Sequence, residues 1–366
     1  MSTRVAYIGL DHHHRDPYLT IAASLPVDIV AVCEPGEDVD PSTLTALSDR
    51  PDEITTEGTD IAAMVADATA YSDPETLFAE ADVDVVWITY SNDAVPGIVA
   101  AAVEAGVDVI SEKPLARTAA DLEPVATAAT DRGVTVAPSY FYRRNPVAMD
   151  LHDWVTEGFF GDIWSVDGRF VGSQLGYRDT DHYIYDAARS RGGALQWIGL
   201  HWMDMMMYIL DEPITRVNAQ RSDPDTVDVE DGMTLQFETA SGVMGTFQTG
   251  YYLSDRGKDT HLGLYGTDAQ AWTPVHDNAH TGPGAVPLQV FASHDDWTGA
   301  PKRTTQYELG YDRFPAWGDF VRDYFAAFFA GRESGDVPAD VHDALRMLRV
   351  LDAAYVSAES DRWVTV

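Results

Sequence analysis

The sequence predicts an α/β domain with a doubly wound parallel sheet, followed by an α+β domain with a large open antiparallel sheet. Three observations carry that expectation. Over residues 1–141, short Val- and Ile-rich runs alternate with helix-like stretches, the pattern of a parallel sheet covered on both faces. From residue 142 on, apolar and polar residues alternate within segments bounded by Gly, Asp and Ser, the mark of a sheet with one solvated face. A chain of 366 residues also exceeds the size at which a single core usually serves.

Taken in order, RVAYIGL (4–10) reads as a buried strand, PYLTIAASL (17–25) as a helix opening on a proline, and VDIVAVCE (27–34) as a second strand. An acidic helical stretch runs to about Ala68, and TAY (69–71) is a short edge strand. VDVVWITY (83–90) is a strand, AVPGIVAAAVEAG (94–106) a helix ended by glycine, and VDVISEKP (107–114) a strand. LARTAADLEPVATAATDRG (115–133) gives a helix and VTVAPSY (134–140) a further strand. In the second half, SVDGRFVG, ITRVNAQRS, DGMTLQFETASG, VMGTFQTGYY and THLGLYGTDAQAWT read as strands, after a helix over LQWIGLHWMDMMMYIL (195–210). Residues 275–312 read as an irregular loop. WGDFVRDYFAAFFAG and VHDALRMLRVLDAAYVSAES close the chain as amphipathic helices, the last able to pack back on the first domain.

Charge excludes whole classes of partner. The balance of 24 basic against 59 acidic side chains, a net 24 − 59 = −35, repels nucleic acid and anionic membrane alike. Only Lys113, Lys258 and Lys302 are lysines, and acids are spread along the whole chain, the composition expected of a protein adapted to molar salt. The single cysteine, Cys33, excludes an internal disulfide framework and a multi-cysteine metal site. No run of about 18 apolar residues is present and the first residues enter an apolar strand, so a cytoplasmic protein is expected.

In an open parallel sheet, ligands sit outside the carboxyl ends of the strands where strand order reverses. The first loop reads Gly9-Leu10-Asp11-His12-His13-His14 and keeps only the first glycine of a G-x-G-x-x-G fingerprint. Glu34, 25 residues after Gly9, stands where a carboxylate accepts hydrogen bonds from ribose hydroxyls and repels a 2′-phosphate. NAD is therefore expected over NADP; the alternative is that Glu34 merely opens a solvent loop. Three adjacent histidines rarely all face one ion, so no metal is expected, and His12 and His13 are candidates for cofactor contact.

SEKPLA (111–116), after a strand and before a helix, resembles the Glu-Lys-Pro signature of the glucose–fructose oxidoreductase / inositol dehydrogenase / rhizopine catabolism (Gfo/Idh/MocA) family. SNDAV (91–95), EGFFGDIWSV (157–166), GGALQWIGLHWMD (192–204), VEDG (229–232), LYGTD (264–268) and SAES (357–360) fall in the order of that family's motifs. The resemblance implies a Rossmann NAD(P)-binding domain over residues 1–141 and a substrate and oligomerisation domain over 142–366. It implies oxidation or reduction of a sugar, polyol or sugar derivative, with His201 as acid/base and Lys113 polarising the reacting oxygen. Gly9, Asp11, His12, His13, Glu34, Thr89, Asn92, Glu112 and Lys113 are the expected cofactor positions and Trp197 and His201 expected substrate positions; Tyr142, Arg143 and His182 are expected at the substrate by their place and polar groups, with packing as the alternative. Arg144, Tyr183 and Tyr185 are further candidates for the cleft wall, and Asp204 is expected to orient its helix. The sequence departs from the family where Val95 replaces a histidine and Trp197 an aspartate; an aromatic face there suits stacking on a sugar ring. Two rival readings stay open: glycosidic cleavage through transient oxidation, and a non-catalytic sugar or dinucleotide sensor. A homodimer or homotetramer through the open sheet is expected.

Overall fold

In the computed structural model, residues 2–41, 61–173, 175, 180–223, 227–253, 257–276, 285–310 and 318–366 are described. Six strands form the first sheet: β1 (Thr3–Ile8), β2 (Val27–Cys33), β3 (Thr69–Tyr71), β4 (Val85–Ile88), β5 (Asp108–Ser111) and β6 (Val136–Pro138). They pair in parallel in the order β3-β2-β1-β4-β5-β6. Val5 to Ile8 and Val85 to Ile88 are wholly buried, as continuous apolar runs require when both sheet faces are covered. The covering helices are α1 (Arg15–Ala22), α2 (Ile61–Val65), α3 (Pro74–Glu80), α4 (Val95–Ala105) and α5 (Ala119–Arg132). Asp73 and Thr118 cap α3 and α5 through their side-chain oxygens, and left-handed Gly106 and Gly133 end α4 and α5. Strand order reverses between β1 and β4, which fixes the crevice outside their carboxyl ends as the binding place. The acidic stretch read as helical before Ala68 falls mainly outside the described residues.

The second sheet has nine strands in the order β14-β13-β12-β11-β7-β10-β9-β8-β15. These are β7 (Ile163–Val171), β8 (Ile214–Ser222), β9 (Gly232–Thr239), β10 (Met244–Gly250), β11 (Asp259–Gly266), β12 (Ala269–Thr273), β13 (Ala285–Ala292), β14 (Lys302–Glu308) and β15 (Val364–Thr365). All pairs are antiparallel except β7 with β10. The helices between and after these strands are α6 (Pro146–Thr156), α7 (Ala187–Ser190), α8 (Leu200–Leu210), α9 (Phe320–Gly331) and α10 (Val341–Ser360). Close packing sets α8 on the sheet: a Cβ on Gly168 of β7 would stand 3.0 Å from the Met206 sulfur of α8, and Trp202 stacks on Phe247 at 6.5 Å. No helix among the described residues is long and apolar enough to cross a membrane.

Two features differ from the sequence reading. Residues 285–292 and 302–308, expected within an irregular loop, pair as the hairpin β13–β14 at the sheet edge. Pro287 weakens the strand signal of the first, and the second is almost wholly solvated, so it carries no apolar alternation to be seen. Helix α6 was passed over, although Asn145 caps it by accepting Val147 N–H at 2.9 Å and Pro146 opens it. The compact units are Met1–Ser139 with Gly310–Leu345, and Tyr140–Leu309 with Arg346–Val366, so the chain returns to the first unit near its end. The returning helix is α9: Phe325 packs on Trp87 at 4.4 Å and on Tyr18 at 4.9 Å, and Tyr324 donates to the Pro138 carbonyl. Amphipathic spacing marks the apolar face of such a helix but does not say which sheet it will cover.

Because Phe325 is fully buried between two aromatic rings of the first unit, Phe325→Ala should destabilise that unit by about 3–5 kcal/mol, read from urea unfolding followed by tryptophan fluorescence. A loss below about 1 kcal/mol would contradict this packing.

Candidate active site

In the first unit, the loop after β1 is shaped by two contacts. Gly9 sits at φ 95° and its Cβ would lie 1.9 Å from the Thr89 carbonyl, so no other residue fits. Thr89 Oγ1 in turn donates to the Gly9 carbonyl at 2.8 Å. Glu34, at the end of β2, accepts the backbone N–H of Leu10 and, at 3.2 Å, that of Asp11. Burial pushes the Glu34 carboxyl up from its ordinary range, and the two N–H donors work against that shift. Asp11 and Glu37 add negative potential to the same place. Asn92 is buried just before α4.

Glu112 joins several elements at the end of β5. One of its oxygens accepts from Tyr18 of α1 and from Ser139 after β6 at 3.3 Å, and lies 3.2 Å from His14 Nδ1. Its other oxygen lies 3.3 Å from Lys113 Nζ. Burial by itself would raise this carboxyl, but the Lys113 ammonium and then His14 hold it well below the usual carboxylate range. Lys113 is 2% exposed, so the pair is withdrawn from water. His12, His13 and His14 bring their nitrogen atoms within 4.8 Å of one another, and the His14 N–H donates to His12 Nδ1 at 3.0 Å.

This unit fits a dinucleotide. It has the glycine that brings the first strand's loop against the fourth, a carboxylate at the end of the second, and a buried cation at the end of the fifth. Gly9, Asp11, His12, His13, Glu34, Thr89, Asn92, Glu112 and Lys113 all lie in this unit, at or just beyond the carboxyl ends of β1, β2, β4 and β5.

The second unit holds His201. Before it, Gly192 and Gly193 pack so tightly that a Cβ would lie 1.8 Å from the Tyr355 hydroxyl or 2.0 Å from the Glu230 carbonyl, respectively. Glu230 clamps the turn, accepting Gly193 N–H at 2.8 Å, Leu195 N–H at 3.1 Å and the Tyr355 hydroxyl at 2.9 Å. Burial pushes the Glu230 carboxyl up, against those donors. Residues 195–199 then form a π-turn that runs into α8, and His201 stands in the first turn of that helix. Its ring is buried against Phe141 at 4.5 Å, Tyr142 at 5.5 Å and Tyr140 at 6.4 Å.

Other expected substrate residues are placed differently. The Arg143 guanidinium forks onto Asp204 of α8, with Nε at 3.0 Å and Nη2 at 2.6 Å, so its charge is matched within the unit. Trp197 donates from Nε1 to Ser190 Oγ at 2.7 Å and packs edge-on against Tyr183 at 5.6 Å, inside an apolar cluster with Tyr185 and Tyr251. His182 Nδ1 accepts the Ile184 N–H at 3.3 Å and its ring lies against Tyr183. One residue was missed. His276 is buried 6.4 Å from the Tyr142 ring, just after Val275, a β-branched residue held at φ 63°. Asn145 Nδ2 donates to the Val275 carbonyl at 3.0 Å, and Val275 N–H to Thr273 Oγ1 at 2.9 Å. The only sequence signal was a histidine shortly after a strand end.

Residues 37–140 match the model of an oxidoreductase family with an NAD-binding Rossmann fold, and residues 149–271 match the GFO/IDH/MocA C-terminal domain. The chain belongs to the GFO/IDH/MocA family. Among GFO/IDH/MocA relatives, levoglucosan dehydrogenase of Pseudarthrobacter phenanthrenivorans is 25% identical over 81% of this chain and 83% of its own. D-xylose 1-dehydrogenase (NADP(+)) 2 of Haloferax volcanii is 26% identical over 80% of this chain and 83% of its own. The solved levoglucosan dehydrogenase complex with NADH and levoglucosan superposes with a TM-score of 0.80 over the whole of both chains at 21% identity, a likeness of fold. The match to the family's first domain begins at residue 37, beyond both the histidine loop and Glu34.

Two outcomes follow from these clamps. Glu112→Gln leaves the buried Lys113 ammonium without its counter-charge and should cost about 3–5 kcal/mol at neutral pH. Since the folded carboxyl lies below its unfolded value, that contribution is complete above the unfolded range and is lost as pH falls. Urea unfolding of both proteins should therefore show a gap that is constant above about pH 5 and narrows below it; a gap independent of pH would refute the pairing. Gly193→Ala cannot be accommodated without moving the turn, and should cost about 2 kcal/mol or more in the same assay.

Proposed function

We propose that this protein is an NAD-dependent dehydrogenase acting on a CH–OH group of a sugar, polyol or sugar derivative, with Lys113 and His201 as its catalytic residues. The observation that carries the reading is the buried Glu112–Lys113 pair at the carboxyl end of β5: an ionised carboxylate keeps a dry ammonium charged. Family membership gives the reaction class, and relatives named for levoglucosan, inositol and D-xylose give the substrate class. The nicotinamide, when bound, accepts or supplies the hydride. Lys113 stabilises the negative charge that grows on the reacting oxygen, and His201 exchanges the hydroxyl proton. The aromatic shell of Tyr140, Phe141 and Tyr142 keeps water from the imidazole and so limits competing proton exchange. Tyr142, His182 and Trp197 are proposed substrate neighbours. Arg143, forked on Asp204, is proposed to fix the pitch of α8 beneath them.

The preference for NAD rests on the acids around the end of β2. Glu34 points its carboxylate at the loop amides, Asp11 and Glu37 add negative potential there and Asp38 follows in sequence, so a 2′-phosphate would meet like charge. The composition supports a protein of a high-salt cytoplasm, and the solvated face of the second sheet, with Met244 and Phe291 exposed, supports a homodimer or homotetramer.

The purified protein in molar KCl should bind NAD at least about tenfold more tightly than NADP, followed by tryptophan quenching. With NAD it should oxidise one or more members of a panel holding levoglucosan, D-xylose and inositol. Lys113→Met should lower kcat by about a thousandfold or more with an unchanged circular dichroism spectrum. Tighter binding of NADP would overturn the cofactor assignment, and wild-type turnover by the variant would overturn the catalytic one.

A further inference from the structure

We infer that the His12-His13-His14 loop is an imidazole cradle for the cofactor's pyrophosphate, in which side-chain N–H donors from His12 and His13 replace the backbone amides of a glycine-rich loop. This rests on the proposed dinucleotide site and concerns how that site takes an anion.

Three observations lead to it. The loop keeps a glycine only where contact demands one: at Gly9, against the Thr89 carbonyl. Asp11 and His14 occupy the other two glycine positions of the fingerprint, so side chains stand where phosphate would otherwise approach the backbone. Secondly, the three imidazoles converge before α1, a helix N-terminus that favours negative charge. The His12 and His13 rings stack at 4.3 Å, His13 and His14 lie 4.1 Å apart, and their nitrogens fall within 4.8 Å of one another. Groups that become cations on protonation converge this closely at little cost when an anion lies among them. Thirdly, the hydrogen bonding fixes the tautomer. His12 Nδ1 accepts the His14 N–H at 3.0 Å, so neutral His12 carries its proton on Nε2 and is a donor there. A metal bound through Nε2 would need the opposite tautomer, so this arrangement suits an oxyanion better than a metal ion. His14 is committed elsewhere, since its Nδ1 faces the ionised Glu112, and it anchors the loop. Arg15 donates within the loop to the Leu10 carbonyl at 2.8 Å and to Asp16 at 2.7 Å. The histidines are therefore the donors in place.

The test is a set of binding titrations on the full-length protein in molar KCl, using NAD, ADP-ribose and adenosine as probes and tryptophan quenching as the readout. Adenosine lacks the pyrophosphate and ADP-ribose lacks the nicotinamide. His12→Ala and, separately, the less buried His13→Ala should each raise the Kd for NAD and ADP-ribose by about tenfold and leave that for adenosine within twofold. His12→Gln, whose amide nitrogen reaches the place of Nε2, should recover most of the loss. An equal loss for adenosine would assign the histidines a structural role, and unchanged Kd values for ADP-ribose would show that the backbone still holds the anion; either overturns the cradle but leaves the dinucleotide site standing. ADP-ribose binding that is abolished by a chelator and restored by Zn2+ would overturn it in favour of a metal. Wild-type protein that binds neither NAD nor ADP-ribose would instead remove the proposed function itself.

Discussion

The nucleotide-binding unit depends on one buried carboxylate. Glu112 collects a tyrosine from α1, a histidine from the loop before it, a serine after β6 and the lysine beside it. A carboxylate withdrawn from water must be given donors, and besides the adjacent Lys113 these come from two distant stretches of chain, residues 14–18 and Ser139. The need to satisfy one charge thus draws the loop, the helix and two strand ends to a common point. That point is where strand order reverses and where a ligand must sit. The same charge keeps Lys113 an ammonium in a dry place. Structure and chemistry here use one interaction.

The substrate unit solves a similar problem with the opposite electrostatic result. Glu230 is also buried and also clamps a loop, but its donors are two peptide N–H groups and the Tyr355 hydroxyl, all neutral. Burial pushes its carboxyl up, whereas the Lys113 ammonium and His14 hold that of Glu112 down. The difference fits their tasks. Glu230 needs only to fix the Gly192–Gly193 turn from which the helix of His201 springs, and neutral hydrogen bonds do that. Glu112 must in addition hold a charge on its neighbour. A buried cation calls for an ionised partner; a turn does not.

How much of this the sequence carried follows from what each signal measures. Val- and Ile-rich runs mark β1, β2, β4, β5 and β6, the exposed β3 shows only as the short TAY segment, and Gly106 and Gly133 end their helices where the chain turns left-handed. The Glu-Lys-Pro and Gly-Gly stretches were legible as motifs, yet Glu112 and Glu230 were read without their roles, since each acts on residues far away in the chain. The hairpin β13–β14 was invisible because a solvated edge strand has no apolar alternation. The indole N–H of Trp197 reaches Ser190 and its ring joins an apolar cluster, a packing that spacing along the chain does not encode. Arg143 and Asp204 were both singled out in the sequence, but their pairing depends on two elements meeting in space.

A net charge of −35 sharpens the demand on any anion site. Molar salt shortens the reach of distant carboxylates to about 3 Å, so the overall field does not forbid binding of a pyrophosphate. Direct neighbours still count fully, because no ions fit between them and the ligand. At the first loop those neighbours include Asp11 and Glu34, and Glu34 is already occupied by the Leu10 and Asp11 amides. Two N–H groups that a phosphate would ordinarily be offered are thereby turned toward a side-chain carboxylate. Once those amides face away, affinity for the phosphates has to come from side chains, and histidines supply donors there without adding permanent charge to a buried loop. The departures from the glycine pattern and the retained carboxylate are then two aspects of one local rearrangement.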